Sequence, residues 1–249
     1  MKVAVILPAA GLGTRMGRTA EKSAERVGTS RKQFMLLEGL PIFLHTVRKF
    51  AACETVSEIV VSVRREDLDW AREMVAQAAL AKPVHVVEGG DSRQDSVENA
   101  LAVVDPATDL VAVHDAVRPF IDLETIQKVI AEASESGAAI VGIVPVDTVK
   151  QVGRPHTNRA KIRATIPRER LVLAQTPQVF RYELLRRAFE QARADGFTGT
   201  DESSLVERID DVEVSVVLGS DRNIKITKPT DMELARLYSQ SERAAQEQR

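Results

Sequence analysis

Cysteine is nearly absent from this sequence, since Cys53 is the only one among 249 residues. A single cysteine forms neither an intramolecular disulfide nor a multi-cysteine zinc site, which fits a reducing compartment, so we expect a cytoplasmic protein. Long hydrophobic runs are also missing. The apolar stretch at the N-terminus stops at Pro8, whereas a bilayer-spanning helix needs roughly 20 residues, and the stretch lacks the layout of a signal peptide. We therefore expect no association with a membrane.

Neither sign of charge predominates. Thirty-four Lys and Arg face 36 Asp and Glu, for a formal net charge of -2, so no overall positive field would draw the chain to nucleic acid. Any phosphate chemistry must then rely on local clusters of cations. The length of 249 residues, with 44% hydrophobic and 28% charged residues, is within the range of one α/β domain. We expect residues 1–249 to form a single domain.

Short apolar runs rich in β-branched residues recur along the chain, at residues 2–7, 58–63, 84–87, 110–113 and 139–144. They are continuously apolar rather than alternating, which is typical of strands in a parallel sheet that is buried on both faces. Helical patterns lie between them: Phe43, Val47 and Phe50 share one face, and Asp91 with Gln94 resembles a capping box that opens another helix. The alternation predicts an α/β fold, a three-layer α/β/α sandwich with a mostly parallel, Rossmann-like sheet.

A basic segment interrupts this alternation. Residues 150–170 hold seven basic residues and one acid, Glu169. Apolar residues at every second position from Ile162 to Ile166 predict a two-stranded arm. Because an isolated hairpin is only marginally stable in water, we expect this protruding β-arm, residues 146–170, to pack against a second copy of the chain in a homodimer.

The first predicted strand leads into a loop of small residues, PAAGLGTRMG at positions 8–17. Ligands of open parallel sheets bind beyond the carboxyl ends of the strands, and small residues let a nucleotide approach the backbone amides. The loop has neither the Gly-Lys-Ser/Thr ending of a P-loop nor the dinucleotide-binding spacing. On the glycines alone, a flexible turn and a phosphate-binding loop stay equally open. Arg15 favours the second, because it adds a permanent forked cation.

This loop and several later strings together resemble the sugar-phosphate nucleotidyltransferases, and most closely the methylerythritol-phosphate cytidylyltransferase family. The strings follow the order of the family over nearly the whole chain. They are PAAGLGTRMG, KQF at 32–34, GGDSRQDSV at 89–97, HDAVRP at 114–119, DT at 147–148, TPQ at 176–178, TDE at 200–202 and NIKIT at 223–227. One departure is the longer connection between the first two strings. We expect residues 17–31 to be a surface loop that is disordered without nucleotide.

The resemblance implies that CMP is transferred from CTP to 2-C-methyl-D-erythritol 4-phosphate in the non-mevalonate route to isoprenoid precursors. The products would be 4-diphosphocytidyl-2-C-methyl-D-erythritol and pyrophosphate. Arg15 and Lys32 resemble the catalytic pair that neutralises charge on the α-phosphoryl group. The resemblance also implies Mg²⁺, or another divalent cation, near Asp115, whereas His114 is interpreted as structural. The implied nucleotide-binding residues are Pro8, Ala9, Ala10, Gly11, Gly13, Gly90, Asp91, Ser96, Asp115 and Ala116.

The acceptor, a small polyol phosphate, would be positioned by residues of two subunits. The resemblance recruits Arg118, Thr176 and Lys225 from one subunit, and Thr148 and Arg168 from the arm of its partner. Two alternatives remain open at this point. One is a ribitol-5-phosphate cytidylyltransferase, which shares the scaffold and differs in the acceptor. The other is a non-catalytic nucleotide-binding regulator on the same fold.

Overall fold

The structure is a computed structural model that describes residues 1–11, 31–153, 160–209 and 212–247. The predicted loop at 17–31 therefore lies outside the described residues, apart from Arg31. The strands are β1 (Val3–Pro8), β2 (Leu36–Leu37), β3 (Leu40–Pro41), β4 (Val56–Val63), β5 (Val84–Glu88), β6 (Leu110–Val113), β7 (Ala138–Ile143), β8 (Val149–Val152), β9 (Ile162–Ile166), β10 (Leu173–Arg181) and β11 (Ser215–Leu218). The helices are α1 (Ile42–Ala51), α2 (Leu68–Gln77), α3 (Arg93–Leu101), α4 (Leu123–Ser136), α5 (Tyr182–Ala194), α6 (Glu202–Val206) and α7 (Pro229–Glu247).

Seven strands form the central sheet, in the order β11-β7-β10-β6-β1-β4-β5. Strand β10 runs antiparallel to β6 and β7, and the other neighbouring strands are parallel. Val5 of β1, an interior strand, pairs with Ile59 of β4 on one side and with Ala112 of β6 on the other. The prediction of a mostly parallel α/β sheet is confirmed, and all five predicted strands are present within two residues of their expected bounds.

Helices cover both faces of the sheet because the apolar strands present side chains to both. Val5 and Leu7 pack into the cluster under α1, α2 and α4, whereas Ala4 and Ile6 pack into the cluster under α3, α5 and α6. Burial of each large aliphatic side chain stabilises the fold by about 1.5–3 kcal/mol. The result is the predicted three-layer sandwich, with the carboxyl ends of β1, β4, β5 and β6 along one edge.

The start of α3 differs by one residue from the sequence prediction. Ser92, not Asp91, is the N-cap: its hydroxyl accepts a hydrogen bond from the amide of Asp95, and the Asp95 carboxylate accepts one from the amide of Ser92. The proposed pair of Asp91 and Gln94 was therefore wrong, because the serine hydroxyl and the aspartate three residues later satisfy the same two amides. Asp91 is left outside the helix, at the edge of the sheet.

The predicted two-stranded arm is confirmed. Strands β8 and β9 form a separate antiparallel pair in which Val149 lies opposite Ile166. The turn that connects them lies outside the described residues from 154 to 159. Large apolar side chains on and beside the arm are exposed, with Val146 at 78% and Ile162 at 64% of their full accessible area.

Helix α7 closes a third, smaller cluster beside the sheet. Met232 and Ala235 of this helix pack with Val117 and Ile226, which fixes the segment next to Lys225 against the end of β6. Across the ranges that the structure describes, no helix has the length and apolar character needed to cross a bilayer.

Candidate active site

A cavity of about 330 Å³ opens at the carboxyl edge of the sheet. The strands β1, β4, β5 and β6 are parallel, so the loops that follow them meet at this edge, where open α/β sheets bind ligands. The cavity is lined by Pro8, Ala9, Ala10, Gly11, Lys32, Gln33, Arg64, Gly90, Asp91, Ser92, Arg93, Ser96, Asp115, Ala116, Val117 and Lys225.

Two side chains hold the carbonyl groups of the loop after β1. The amide nitrogen of Gln33, a buried residue, donates to the carbonyls of Ala9 at 2.7 Å and Gly11 at 2.9 Å. Nε of Arg64 donates to the carbonyl of Ala10 at 3.1 Å. Each such bond contributes about 0.5–1.5 kcal/mol. The loop is therefore tied to the segment that carries Lys32 and to the end of β4.

The opposite wall of the cavity requires glycine. A Cβ atom on Gly89 would lie 2.7 Å from Cβ of Ala10, and one on Gly90 would lie 2.3 Å from Cβ of Asp95. The Ser96 hydroxyl accepts from the amide of Gly90 at 3.1 Å and donates to the carbonyl of Ser92 at 2.8 Å. The turn after β5 is thus fastened to the first turn of α3, close to the loop after β1.

Lys32 lies at the mouth of the cavity on a short 3₁₀ helix, Lys32–Phe34. The ring of Phe34 makes edge-to-face contacts with Trp70, at 4.8 Å between ring centroids, and with Phe43, at 5.9 Å. Each aromatic contact is worth roughly 0.5–1.5 kcal/mol. This packing anchors the lysine segment to the body of the domain, although the residues before Arg31 lie outside the described ranges.

Asp115 is the buried carboxylate at the base of the cavity and contacts three cations. Its Oδ2 lies 3.0 Å from Nε of Arg118 and 3.0 Å from Nζ of Lys225, and its Oδ1 lies 3.4 Å from Nε of Arg93. Burial alone raises the pKa of a carboxyl group, but the charges of Lys225, Arg93 and Arg118 outweigh it. The pKa of Asp115 therefore lies well below its usual value, and the group is ionised at neutral pH.

Arg93 bridges Asp115 to a second buried carboxylate. Its Nη1 lies 2.6 Å from Oε1 of Glu202, whose side chain is only 2% exposed. Burial lowers the pKa of a guanidinium group, but the two carboxylates reverse this effect and raise the pKa of Arg93. Burial also raises the pKa of Glu202, while the charge of Arg93 opposes that rise.

Strand β10 supports the site from below. The Thr176 hydroxyl accepts a hydrogen bond from the amide of Asp115 at 3.1 Å. The Asn223 side chain donates to the carbonyl of Thr176 at 2.9 Å, and Nη1 of Arg118 donates to the carbonyl of Asn223 at 2.7 Å. The segment that carries Lys225 is in this way joined to β10 and to the loop after β6.

The structure brings most of the predicted site residues together. Lys32, Lys225 and nine of the ten predicted nucleotide-binding residues line the cavity, while Arg118 and Thr176 contact Asp115 from beside it. Arg15 and Gly13 lie outside the described residues. Thr148 and Arg168 are exposed near the base of the arm and do not belong to the cavity lining within the described part of their own chain.

Several residues of the site received no role from the sequence. Gln33, Ser92 and Arg93 lie inside the strings that resemble the family, and Glu202 lies in TDE. The strings therefore marked these positions but did not indicate what each side chain does. Arg64 has no such signal. It follows β4 directly, and its position at the carboxyl end of a buried strand is the one feature that points to the site.

A divalent cation fits Asp115 if water and substrate phosphates supply the other ligands. Within the described ranges, no group of three or more His, Cys, Asp and Glu side chains could hold a metal ion. Mg²⁺ commonly takes one or two carboxylates and completes its shell with water and substrate phosphates. One ionised carboxylate facing the cavity is consistent with that arrangement.

The amino-acid sequence is similar to those of known cytidylyltransferases. The sequence model of the family described as 2-C-methyl-D-erythritol 4-phosphate cytidylyltransferase matches residues 3–241. A protein of that name from Solibacter usitatus is 67% identical over 244 residues, which are 98% of each chain. Another from Acidobacterium capsulatum is 54% identical over 239 residues, covering 96% of this chain and 97% of the relative.

Solved structures give the same result for the fold. The crystal structure of 4-diphosphocytidyl-2C-methyl-D-erythritol synthase from Anaerococcus prevotii superimposes with a TM-score of 0.80 at 28% identity, over 96% of each chain. The 2-C-methyl-D-erythritol 4-phosphate cytidylyltransferase from Thermus thermophilus superimposes with a TM-score of 0.73 at 29% identity, over 96% of this chain and 100% of the other. This chain therefore belongs to the 2-C-methyl-D-erythritol 4-phosphate cytidylyltransferase family.

Proposed function

We propose that the cavity at the carboxyl edge of the sheet is where this chain performs the reaction of its family. The chain is a cytidylyltransferase: it transfers CMP from CTP to 2-C-methyl-D-erythritol 4-phosphate and releases pyrophosphate. Membership of this family favours 2-C-methyl-D-erythritol 4-phosphate over ribitol 5-phosphate as the acceptor, and an enzyme over a non-catalytic regulator. The observation that carries the proposed site is the convergence of Lys32 and Lys225 with the buried carboxylate of Asp115 in one cavity.

The chemistry requires positioning and charge neutralisation. A phosphate oxygen of the acceptor attacks the α-phosphorus of CTP, a new P–O bond forms, and the bond to the β-phosphate oxygen breaks in line. No proton needs to be removed, because a phosphate monoester with a second pKa of about 6 is already ionised. Negative charge grows on the α-phosphoryl oxygens, and Lys32 and Arg15 neutralise it.

The wall formed by Gly90, Asp91 and Ser96 is proposed to hold cytosine and ribose. The Ser96 hydroxyl already donates once and accepts once, so one lone pair remains. That lone pair is an acceptor, which suits the exocyclic amino group of cytosine and not the carbonyl of uracil. The bonds that hold the carbonyls of Ala9 and Gly11 support a fixed backbone beside the nucleotide.

Asp115 is proposed to hold Mg²⁺ together with the triphosphate. The bound ion would shield phosphate charge and keep the pyrophosphate group in line for departure. Asp115 is suited to this role because it is ionised and buried. Lys225 now pairs with it at 3.0 Å and is a cation that can turn to a substrate phosphate.

The acceptor phosphate is proposed to bind to Arg118 and Lys225 of one subunit and to Arg168 and Thr148 of the partner. The exposed apolar side chains of the arm support a homodimer in which residues 146–170 cover the neighbouring site. We assign residues 1–249 to one domain and the protein to the cytoplasm. Thr176 is proposed to act through Asp115, since its hydroxyl is already bonded there.

The test is steady-state release of pyrophosphate from CTP and Mg²⁺, with either 2-C-methyl-D-erythritol 4-phosphate or ribitol 5-phosphate as acceptor. We expect turnover with the first and at most a trace with the second. A large preference for ribitol 5-phosphate would overturn the acceptor assignment. CTP binding by calorimetry without turnover on either acceptor would overturn the catalytic assignment.

A further inference from the structure

Glu202 is a buried carboxylate that has no role in the proposed reaction. Its side chain is 2% exposed, and its one ion pair in the described part of the chain is with Arg93. Its second oxygen, Oε2, is buried without a hydrogen-bond partner among the described residues. The residue lies in the first turn of α6, where Asp201 forms the N-cap, so the cap does not require Glu202.

The buried ion pair with Arg93 is weak evidence that Glu202 serves stability. The cost of removing two charges from water commonly equals or exceeds the attraction of a buried ion pair, and apolar residues of similar volume are often as stable. An oxygen that lacks a partner adds a further cost. The effect of Glu202 on the position of Arg93 is an alternative role.

Arg93 is shared unequally between its two carboxylates. Nη1 is 2.6 Å from Glu202, whereas Nε is 3.4 Å from Oδ1 of Asp115. The other oxygen of Asp115, Oδ2, has two cations at 3.0 Å, from Arg118 and Lys225. Oδ1 is therefore the oxygen of Asp115 with the longer cation contact, and the cation in question is the one that Glu202 also binds.

We propose that Glu202 is a positioning residue that draws Arg93 away from Asp115 and so leaves Oδ1 of Asp115 available to the divalent cation that accompanies the nucleotide. Without Glu202, the planar guanidinium group closes on Asp115 as a two-point ion pair, for which its geometry is well suited. Arg93 then competes with the metal for the same carboxylate. The inference rests on the proposed function, in which Asp115 is the metal ligand.

The substitution Glu202→Gln removes the charge and keeps the shape of the side chain. We expect the affinity of the enzyme–CTP complex for a divalent cation to fall about tenfold, the lower range for loss of an outer-shell partner. The affinity for metal-free CTP should not fall, because the cavity becomes more positive. A merely structural defect would weaken both.

The double variant Arg93→Gln with Glu202→Gln separates this mechanism from a general loss of charge. It removes the competitor for Asp115 together with the residue that restrains it. We expect its metal affinity to return to within about threefold of the wild type, against the tenfold loss in Glu202→Gln. Glu207→Gln, which neutralises an exposed carboxylate at the end of the same helix, is the matched control and should not differ from the wild type.

The experiment is a Mn²⁺ titration of each full-length protein with saturating CTP, with bound Mn²⁺ followed by electron paramagnetic resonance and metal-free CTP binding by calorimetry. Equal Mn²⁺ affinity of Glu202→Gln and the wild type would overturn the inference, as would a double variant that stays tenfold weaker. If Glu202→Gln does not fold, the double variant, which leaves no unpaired buried charge, still tests the inference, because a Mn²⁺ affinity tenfold below that of the wild type would overturn it. Failure of the wild type to bind Mn²⁺ with CTP would instead remove the proposed metal site, and this inference with it.

Discussion

The Thr176 hydroxyl lies 3.0 Å from Nδ1 of His114, and it donates this hydrogen bond. The direction follows from the other ring nitrogen: Nε2 of His114 lies 3.1 Å from the carbonyl of Arg118. A carbonyl only accepts, so Nε2 carries the hydrogen and Nδ1 is the acceptor. The same hydroxyl accepts from the amide of Asp115 at 3.1 Å. A neutral, buried histidine therefore orients the threonine that orients Asp115.

Replacing Thr176 by Val keeps the volume and removes both hydrogen bonds. We expect the free energy of unfolding to fall by about 1–3 kcal/mol, because the buried amide of Asp115 loses its partner. We also expect kcat to fall about tenfold, which corresponds to about 1.4 kcal/mol of lost positioning. Urea unfolding and steady-state kinetics measure the two effects.

The control for this prediction is Thr176→Ser, which keeps the hydroxyl and should retain kcat within about threefold, less than 1 kcal/mol. If the valine variant retained full activity while the serine variant lost it, methyl packing rather than the hydrogen bonds would be responsible.

His114 makes the stability of the fold depend on pH. Burial lowers its pKa from 6.5 to about 4. Between these values the unfolded chain binds a proton at this ring and the folded chain does not. The contribution of the neutral ring to the unfolding free energy is therefore complete above pH 6.5 and is lost as the pH falls toward 4. From pH 7 to pH 5 this ring alone should remove about 2 kcal/mol of unfolding free energy.

The measurement compares urea unfolding of the wild type and of His114→Asn, without divalent ions, at pH 7 and pH 5. His114→Asn will be less stable than the wild type at both pH values. Between pH 7 and pH 5, however, its unfolding free energy should fall by about 2 kcal/mol less than that of the wild type. Parallel losses in the two proteins would show that His114 is not the group that titrates.

The strands with continuous apolar runs could be predicted from the sequence, because burial on both faces leaves an unambiguous signal at β1, β4, β5, β6 and β7. Strand β10 (Leu173–Arg181) could not. It contains Pro177, which normally argues against a central strand, and it runs antiparallel with a shift in its register to β7 between Ala174 and Gln178. Strand β11 has only four residues, two of them exposed.

Some residues of the site could likewise be predicted from the sequence, and others could not. Residues that stand in one string, such as those of the loop after β1, could be assigned together because neighbours in sequence are neighbours in space. The pair of Arg93 and Glu202 joins residues 109 positions apart, and the sequence contains no measure of that distance. The cap of α3 shows a smaller limit, since the sequence pattern indicated Asp91 and the hydrogen bonds place the cap one residue later, at Ser92.

Lys32 is expected to contribute to the transition state of the reaction. Lys32→Ala should lower kcat by roughly a hundredfold or more, as loss of a charge-stabilising donor does, and Arg15→Ala should have a similar effect. Lys128→Ala, which removes an exposed lysine on α4, is the control and should leave kcat unchanged. Unchanged kcat in both site variants would remove these residues from the mechanism.

Arg168 is expected to act on the acceptor rather than on the nucleotide. Arg168→Ala should raise the KM for 2-C-methyl-D-erythritol 4-phosphate about tenfold or more, because a charge-assisted contact to the phosphate is worth about 1.5–3 kcal/mol, while the Kd for CTP stays the same. Arg170→Ala, in the same 3₁₀ turn, is the control. Equal weakening of both ligands by Arg168→Ala would contradict a role confined to the acceptor.

The central claim is that cations from the loop after β1 and from the following lysine segment meet at the α-phosphorus of CTP. A crystal structure with Mg²⁺ and a CTP analogue that has a methylene group between the α- and β-phosphorus atoms tests it directly. We predict that Nζ of Lys32 and the guanidinium group of Arg15 lie within hydrogen-bonding distance of phosphate oxygens, with cytosine against Ser96. Triphosphate bound elsewhere, with both side chains in bulk solvent, would contradict the account.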